Sequence, residues 1–313
     1  MADIAKTSFS YKDLIREICN ELNIRCQTLS KDWAFALEKD GEKRFICGFK
    51  FDSNAHGLGV ILDDKYAMYD LLRINGIDAV EHNIIYKSTN NNDYANDCKG
   101  IEYLKILFDK YNHNIVLKSN RGSCGVGVKH ICNEELLEST FEEMIASKHS
   151  LSVCPFYNIV NEFRVILIGG NIRLIYKKVK PLVIGDGIKT IKELLIEFNP
   201  EYFDKLNDEE LQKVLPVGQA YEYGWKFNLS RGAKSSLDID ELESEEIKRI
   251  IDKVKNIGNI NFCSVDIIKT ADNKYMVMEI NSGIMMKNFI AQNDDGIKIA
   301  KSIYTEAIKK MFE

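Results

Sequence analysis

One stretch near the carboxyl end, residues 261–281, constrains the fold of this chain more than any other. It reads NFCSVDIIKTADNKYMVMEIN, with an apolar and β-branched run on each side of Ala271–Lys274. Two such runs around a short polar turn are typical of a β-hairpin. We take Asp272 and Asn273 as the two central turn residues, which fixes the register of the two strands.

This register predicts which side chains face each other across the hairpin. Asp266 lies directly opposite Glu279, and Ser264 lies directly opposite Asn281. Because side chains alternate along a strand, Glu279 and Asn281 share one face. The other face pairs apolar residues, as a buried side requires: Val265 with Ile280, and Ile267 with Met278.

The facing carboxylates of Asp266 and Glu279 are the chemical signal of the hairpin. Like charges directly opposite each other destabilise a sheet unless a positive charge lies between them. Carboxylate and amide oxygens are the ligands that Mg²⁺ prefers, so Asp266, Glu279 and Asn281 are candidate magnesium ligands, with Mn²⁺ as an alternative metal. The alternative is a solvated hairpin face whose acids are screened by water and nearby lysines.

The composition is that of a globular protein with no general attraction for polyanions. The chain has 313 residues, 45% hydrophobic and 28% charged, with a formal net charge of −5. We therefore expect neither nucleic acid nor a membrane as partner, and no apolar run approaches the roughly 18 residues of a membrane span. The eight cysteines form no CxxC motif, and together with an amino terminus that lacks a signal peptide they indicate a cytoplasmic protein with reduced thiols.

Helical and strand periodicities alternate irregularly, which predicts an α+β fold rather than strict βαβ repetition. The predicted helices are Ser10–Asn23, Asp64–Asn75, Glu102–Tyr111, Glu134–Lys148, Lys189–Glu197, Glu209–Val214, Ser244–Ile257 and Gly296–Met311. The predicted strands, besides the hairpin, are Trp33–Leu37, Phe45–Phe51, Ala79–Tyr86, Ile115–Lys118, Ser152–Val153, Glu162–Ile168 and Ile172–Lys178. A polar loop is expected at 90–97.

A glycine-rich segment follows the strand that carries Lys118. Residues 115–128 read IVLKSNRGSCGVGV; glycines let backbone N–H groups approach phosphate oxygens, and a lysine adds a positive charge. The segment lacks the Lys-Ser/Thr of a Walker motif and the helix of a dinucleotide fingerprint. It indicates a flexible flap over phosphates, with an ordinary hairpin loop as the alternative.

The order of these elements resembles the ATP-grasp superfamily: two α+β lobes that clasp ATP, preceded here by a short N-terminal α/β segment. Three further stretches carry the resemblance: NEFRVILIGGNIRLIYKKV, LVIGDGIKTIKELLIEFNP and DDKYAMYDLLRINGIDAVEH. The second is very similar to a stretch of cyanophycin synthetase and of the ATP-grasp half of bifunctional glutathione synthetases, the first resembles the strand pair after the hinge in amino-acid ligases of the superfamily, and the third resembles the Asp-Lys helix that precedes the grasp domain. The resemblance divides the chain into 1–61, a linker region at 62–112, a lid subdomain at 113–155 and a carboxyl-terminal lobe at 156–313.

The resemblance implies a set of site residues. ATP would be bound by Lys118, Arg121, Gly122, Ser123, Gly125, Gly127, Val153, Cys154, Phe156 and Glu162. Basic catalytic positions would be Arg164, Lys178 and Arg231, and the magnesium ligands would again be Asp266, Glu279 and Asn281. Cys154 stands where the superfamily has a hinge glutamate, so adenine would be recognised there by the backbone.

Two loops depart from the resemblance on the expected substrate side. Arg231-Gly232-Ala233 replaces Thr-Gly-Gly, and Ser282-Gly283 replaces the proline and histidine that follow the Glu-x-Asn motif. The expected activity is an ATP-dependent carboxylate–amine ligase that forms an amide through an acyl phosphate. Its partners would be small-molecule or peptide carboxylates and amines, with a homodimer left open. Alternatives are a kinase or thioester-forming ligase on the same fold, or a non-catalytic nucleotide-binding scaffold.

Overall fold

A computed structural model describes residues 9–87, 97–122, 127–198, 209–258 and 260–313. In chain order the helices are α1 (Tyr11–Glu21), α2 (His56–Leu62), α3 (Lys65–Ile74), α4 (Gly100–Lys110), α5 (Leu137–Ala146), α6 (Ile191–Phe198), α7 (Glu241–Val254), α8 (Lys287–Gln292) and α9 (Gly296–Met311). Single 3₁₀ turns lie at Glu134–Leu136, Glu209–Gln212 and Leu229–Arg231.

The strands are β1 (Arg25–Leu29), β2 (Ala34–Lys39), β3 (Glu42–Cys47), β4 (Lys50–Phe51), β5 (Asn83–Tyr86), β6 (Ile115–Ser119), β7 (Lys129–Ile131), β8 (Ser150–Pro155), β9 (Ile159–Ile168), β10 (Asn171–Val179), β11 (Leu182–Ile184), β12 (Ala220–Glu222), β13 (Lys234–Ser236), β14 (Phe262–Thr270) and β15 (Tyr275–Asn281). Helices and antiparallel sheets are mixed along the chain, so the predicted α+β class is confirmed.

The chain forms two compact units, each built from several stretches of sequence. The first unit comprises Met1–Ser53, Glu162–Ile239 and Gly283–Glu313, and the second comprises Asn54–Asn161 and Asp240–Ser282. Both ends of the chain therefore belong to the first unit.

The amino-terminal part of the first unit is a helix and a four-stranded antiparallel sheet in the order β1-β2-β3-β4. Ser10 caps α1 by accepting a hydrogen bond from the Asp13 amide, and Ile15 and Ile18 are fully buried. Tyr11 packs edge-on against Phe35 of β2, so the apolar face of the helix covers the sheet. The predicted strand Phe45–Phe51 is divided in two because Gly48 turns the chain with φ +56°.

The remainder of the first unit is organised around β10, which pairs antiparallel with β9 and β13. The long closing helix α9 has the predicted bounds, and the side chain of its Tyr304 is fully buried. The Tyr304 hydroxyl donates to the Ile284 carbonyl at 2.9 Å, which anchors the segment before α8. A two-stranded sheet, β11 with β12, packs with α6 around a small separate cluster at Leu195 and Leu211.

The second unit contains a four-stranded sheet in the order β5-β8-β6-β7, with α4 and α5 on one face. The core between them includes Ile85, Leu107, Phe108, Ile115, Leu117, Phe141, Leu151 and Val153. Side chains alternate across a sheet, so Ser152 and Lys118 lie on the opposite face from Leu151 and Leu117. The predicted strand Ala79–Tyr86 is shorter than expected, because Ala79 instead bridges Val277 of β15.

The predicted hairpin is present as β14 and β15, with Asp266 opposite Glu279 and Ser264 opposite Asn281. The pairing of Ile267 with Met278 is wrong, because a β-bulge follows Asp266 and Ile267 pairs with Val277. The predicted two-residue turn is also wrong. Thr270 and Lys274 close a three-residue loop in which Asn273 has φ +60°, the usual turn followed by a left-handed residue.

The predicted helix Glu209–Val214 is only a 3₁₀ turn over Glu209–Gln212. The other predicted helices and strands are found with shifted ends, and a few short elements had not been predicted. Asn133 does cap the chain before α5, by accepting from the Glu135 amide at 2.9 Å, but the first turn is 3₁₀ and the helix ends at Ala146. The polar loop expected at 90–97 falls mainly outside the described residues. Among those residues, no helix is both long enough and apolar enough to cross a membrane.

Candidate functional site

The carboxylate pair of the hairpin lies in the second unit. Asp266 is 1% exposed, Glu279 is half-buried, and the Asn281 amide nitrogen donates to Glu279 Oε1 at 3.2 Å. The three predicted metal ligands therefore share one face of β14 and β15. Two carboxylates held opposite each other at a buried position require a positive charge nearby.

Two buried lysines supply positive charge in the same unit. Lys118 at the end of β6 and Lys65 at the start of α3 are 9% and 8% exposed. Burial lowers the pKa of Lys65, the Glu279 carboxylate acts against this, and the Lys118 ammonium lowers it further. Lys65, Lys118 and Glu279 thus form one electrostatic cluster, and an anionic ligand would offset the repulsion between the two ammoniums.

The start of α3 is tied to the segment that follows β6. Asp64 caps the helix by accepting from the Ala67 amide, and the Lys65 amide donates to the Asn120 carbonyl at 3.2 Å. The Lys65 ammonium donates to the Gly122 carbonyl at 2.8 Å. The sequence analysis had placed Asp64 and Lys65 only at the start of a predicted helix. The burial of Lys65 in the same unit as Lys118 was not predicted.

We expect Lys65 to contribute to nucleotide affinity. Lys65→Met keeps the aliphatic stem and removes the ammonium, so ATP–Mg should bind about tenfold more weakly or worse, the loss typical of one hydrogen bond to a charged group. Isothermal titration gives the affinity, with Lys105→Met on α4, whose side chain is 43% exposed, as matched control. An unchanged affinity with a lowered melting temperature would assign Lys65 a structural role.

The residues predicted for the lid are only partly described. Gly122 accepts the Lys65 hydrogen bond, and Gly127 has φ +64°, a conformation that favours glycine. The Arg121 guanidinium donates to Asp64 at 3.2 Å and is 64% exposed. Ser123 and Gly125 lie outside the described residues, so the phosphate-binding role of this segment stays a prediction.

The predicted hinge residues lie at the end of β8. Val153 is buried, and the buried Cys154 thiol points to the Val116 carbonyl at 3.8 Å, its pKa raised by burial. The Phe156 amide donates to the Asn114 carbonyl at 2.9 Å, and its ring stacks on His130 with centroids 3.9 Å apart. In this structure the Phe156 amide is therefore occupied, and backbone recognition of adenine remains a prediction.

Three of the predicted residues meet on one face of the β9–β10 pair in the first unit. Glu162 lies opposite Lys178, and Arg164 lies opposite Tyr176. The Lys178 ammonium donates to the Glu162 carboxylate, and both side chains are only 6% exposed. The family resemblance implied separate roles for Glu162 and Lys178, whereas the structure joins them in a buried ion pair.

The loop at residues 228–236, one of the two that depart from the superfamily pattern, contacts α8 within the first unit. Asn228 caps the turn that contains Arg231, and Gly232 has φ +104°. Ala233 is fully buried, and its carbonyl accepts from the side chain of Gln292 on α8. The Ser235 amide donates to the same Gln292 at 2.7 Å. The side chain of Arg231 itself lies outside what the structure describes.

The donors present fit a hard divalent cation. Within the described residues, no three His, Cys, Asp or Glu side chains cluster as ligands, so a metal would rely on Asp266, Glu279 and Asn281 with oxygens from water and phosphate. That shared arrangement is the one Mg²⁺ usually adopts in nucleotide sites. The absence of sulfur and imidazole from this set disfavours softer metals.

Comparison with known proteins identifies a domain family that includes the hairpin. Residues 217–307, which include the hairpin and α8, match the model of the RimK-like ATP-grasp domain. The chain is 26% identical over 215 residues to a glutathione biosynthesis bifunctional protein of Listeria monocytogenes. That match covers 60% of this chain and 27% of the relative, so the chain spans about a quarter of the relative's length.

Solved structures show the same fold. A bifunctional glutathione synthetase from Pasteurella multocida aligns with a TM-score of 0.53 and 15% identity, covering 94% of this chain and 44% of that one. The D-alanyl-alanine synthetase A of Vibrio cholerae aligns with a TM-score of 0.55 and 10% identity, covering 96% and 92%. The resemblance to ATP-grasp ligases inferred from the sequence is thereby confirmed; the particular likeness to cyanophycin synthetase stays a prediction.

Proposed function

We propose that this chain, which has the ATP-grasp fold, is an ADP-forming ligase that joins a carboxylate to an amine. A substrate carboxylate would attack the γ-phosphate of ATP to give an acyl phosphate and ADP. The amine would then displace inorganic phosphate and form the amide. The observation that carries the proposal is that the buried Asp266 faces the half-buried Glu279 in one unit with two buried lysines.

The second unit would hold the triphosphate. Phosphoryl transfer depends mainly on positioning and on neutralising charge. Lys118 and Lys65 would contact phosphate oxygens, and the carboxylates with Asn281 would bind Mg²⁺, which supplies further charge neutralisation when bound. A protein nucleophile is not required by this chemistry. The buried Cys154, whose pKa is raised, is therefore better suited to packing than to attack.

The first unit carries the other charged residues that the resemblance singles out. Glu162, Arg164 and Lys178 share a strand face, as expected if they serve one bound molecule. When no ligand is bound, the ion pair between Glu162 and Lys178 compensates both buried charges. Glu162 would exchange part of this contact for a ribose hydroxyl, which is the role that the resemblance implies.

Substrate choice would depend on two loops, residues 228–236 and the segment from Ser282 that precedes α8. Gln292 of α8, the helix that follows the second loop, bonds both Ala233 and Ser235, so the first loop is anchored to that helix. Both loops depart from the superfamily pattern, while the residues around Asp266 do not. We infer an altered substrate on a retained ATP site, with an amino acid or a peptide as the class of substrate.

We expect Arg231 to take part in turnover. A guanidinium can hold a carboxylate bidentately or stabilise the transferring phosphoryl group. Arg231→Ala should then lower kcat on the order of 10²-fold, as does loss of a positioned transition-state donor. Arg231→Lys should recover only part of this loss. Steady-state kinetics decides it, and wild-type rates for the alanine variant would place Arg231 on the solvated surface.

A phosphate-release screen tests the proposed activity. The purified protein is incubated with ATP–Mg and pooled amino acids or dipeptides, and both nucleotide and phosphate products are measured. A ligase gives ADP and inorganic phosphate in equal amounts, only when a carboxylate and an amine are both present. ADP with a phosphorylated product and no free phosphate would indicate a kinase. AMP with pyrophosphate would contradict the proposal.

A further inference from the structure

The end of β15 is held by the side chain of Ser282, one of the residues at which the chain departs from the superfamily pattern. Ser282 directly follows Asn281 and is 4% exposed, and its hydroxyl donates to the Asp63 carboxylate at 3.1 Å. Asp63 lies between α2 and α3, two residues before Lys65, and belongs to the same unit as Ser282. A hydrogen bond to an ionised carboxylate is stronger than one between neutral groups.

The edge of β15 away from β14 is covered by α3 and by the chain that follows this helix. The Ile280 amide donates to the sulfur of the fully buried Met68 on α3 at 3.0 Å. The Val277 amide donates to a carbonyl of the chain after α3 at 2.9 Å. Ser282 supplies the last contact along this edge, beyond Asn281. The predicted metal ligand Asn281 therefore lies between two residues that are bonded to the segment around α3.

The residue types at both ends of this bond fit a positioning role. The superfamily pattern has a proline where this chain has Ser282, and a proline ring fixes its own φ near −65°. A serine does not restrict its backbone in this way, so the bond to Asp63 supplies a constraint that the residue itself lacks. Asp63 is the carboxyl-terminal cap of α2, where a carboxylate is unfavourable because of the helix dipole. Its presence there is consistent with a role outside the helix.

We propose that Ser282 and Asp63 are positioning residues whose hydrogen bond holds the end of β15 against the start of α3 and so sets the position of the Asn281 side chain. The Asn281 amide nitrogen is bonded to Glu279, so its oxygen is the atom that could bind a cation. Groups that orient a metal ligand are often worth about 10- to 100-fold in metal affinity. The role in metal binding rests on the function proposed above, whereas the hold on the end of β15 does not.

The first test needs no ligand and follows hydrogen exchange of two amides on β15. Ser282→Ala removes the hydroxyl, so the end of the strand should open locally, and the Ile280 amide should exchange at least about tenfold faster. The Val277 amide is the internal reference and should change by less than about threefold. Unchanged exchange at Ile280 would overturn the proposal. Equal acceleration at both amides would also overturn it, because it would report a general loss of stability.

The second test links the bond to the metal, with Thr270→Val at the other end of the hairpin as matched control. Thr270 is also 4% exposed, and its hydroxyl donates to the Asp272 carboxylate at 2.6 Å. The Mg²⁺ concentration for half-maximal ATP binding should rise about tenfold in Ser282→Ala and stay within about threefold of wild type in Thr270→Val. An unchanged requirement in Ser282→Ala, or an equal rise in both variants, would show a purely structural residue and overturn the positioning role.

Changes at Asp63 show whether the two residues act through their bond. Asp63→Asn keeps an acceptor oxygen and should leave the Mg²⁺ requirement within about threefold of wild type, whereas Asp63→Ala should raise it as much as Ser282→Ala does. The double alanine variant should be no worse than either single variant. Additive effects, or equal effects of Asp63→Asn and Asp63→Ala, would overturn the proposal. If the wild-type protein binds no ATP–Mg, the proposed function fails, and the exchange data still decide whether the bond holds the end of β15.

Discussion

Glu279→Gln should abolish Mg²⁺-dependent ATP turnover and leave the fold at least as stable as in the wild-type protein. The glutamine has the same size as the glutamate but no charge, so it is a poor magnesium ligand, and turnover should fall by at least about 10²-fold. The substitution also removes the repulsion between Glu279 and the 1%-exposed Asp266. The melting temperature without ligand should therefore stay unchanged or rise.

Two measurements separate the metal role from a structural one. Thermal unfolding with and without ATP–Mg should show ligand stabilisation in the wild-type protein and its loss in the variant. The matched control is Glu245→Gln, the same change at an exposed position of α7, which should retain both turnover and ligand stabilisation. Full activity in Glu279→Gln, or a large loss of stability without ligand, would remove Glu279 from the metal site.

The hairpin shows how far the sequence alone reaches. The alternation of apolar and polar residues, with an assumed two-residue turn and a regular ladder of strand pairs, predicted that Asp266 faces Glu279. The protein reaches the same pairing through a three-residue loop and a bulge at Met278. The longer loop shifts the pairing by one residue, and the bulge shifts it back. The predicted partner is therefore correct at Glu279, beyond the bulge, and wrong at Ile267, between the loop and the bulge. Alternation reports which face is buried, whereas bulges depend on tertiary partners that the local pattern does not contain.

The ion pair between Glu162 of β9 and Lys178 of β10 was not predicted because a second bulge changes the register of these strands. A regular ladder from the Gly169-Gly170 turn would place Lys177 opposite Glu162 and turn Lys178 to the other face. The register shift between Ile172 and Leu174 instead brings Lys178 opposite Glu162. The family resemblance had singled out both positions. It did not reveal that they bond to each other, since that contact is a property of the folded sheet.

Burial was the property least accessible from sequence. Lys65 was visible only as the second residue of a predicted helix, and His82 only as a polar residue within a predicted strand, yet both are at most 8% exposed. Their positions depend on contacts between distant segments, such as those of Lys65 with Asn120 and Gly122. Short elements such as β1, β13 and α8 were missed because they extend over too few residues for a periodicity to be recognised.

Lys178→Met should destabilise the protein by about 3–5 kcal/mol, the loss expected when one partner of a buried ion pair is removed. The Lys178 and Glu162 side chains are each 6% exposed, so solvent cannot replace the lost ammonium, and the Glu162 carboxylate keeps its desolvation cost. Urea unfolding at pH 7 measures the difference in the free energy of unfolding. A loss of this size would correspond to a large fraction of the stability of a typical domain.

The same strand provides the control. Arg173 of β10 pairs with Glu306 of α9 across a surface where the two side chains are 37% and 39% exposed, and Arg173→Met should cost at most about 1 kcal/mol. Combining Lys178→Met with Glu162→Gln removes both charges, so the double variant should be less destabilised than the two single changes together. Equal, small losses for Lys178→Met and Arg173→Met would show that the Glu162 carboxylate finds another partner, and that the pair contributes little to folding.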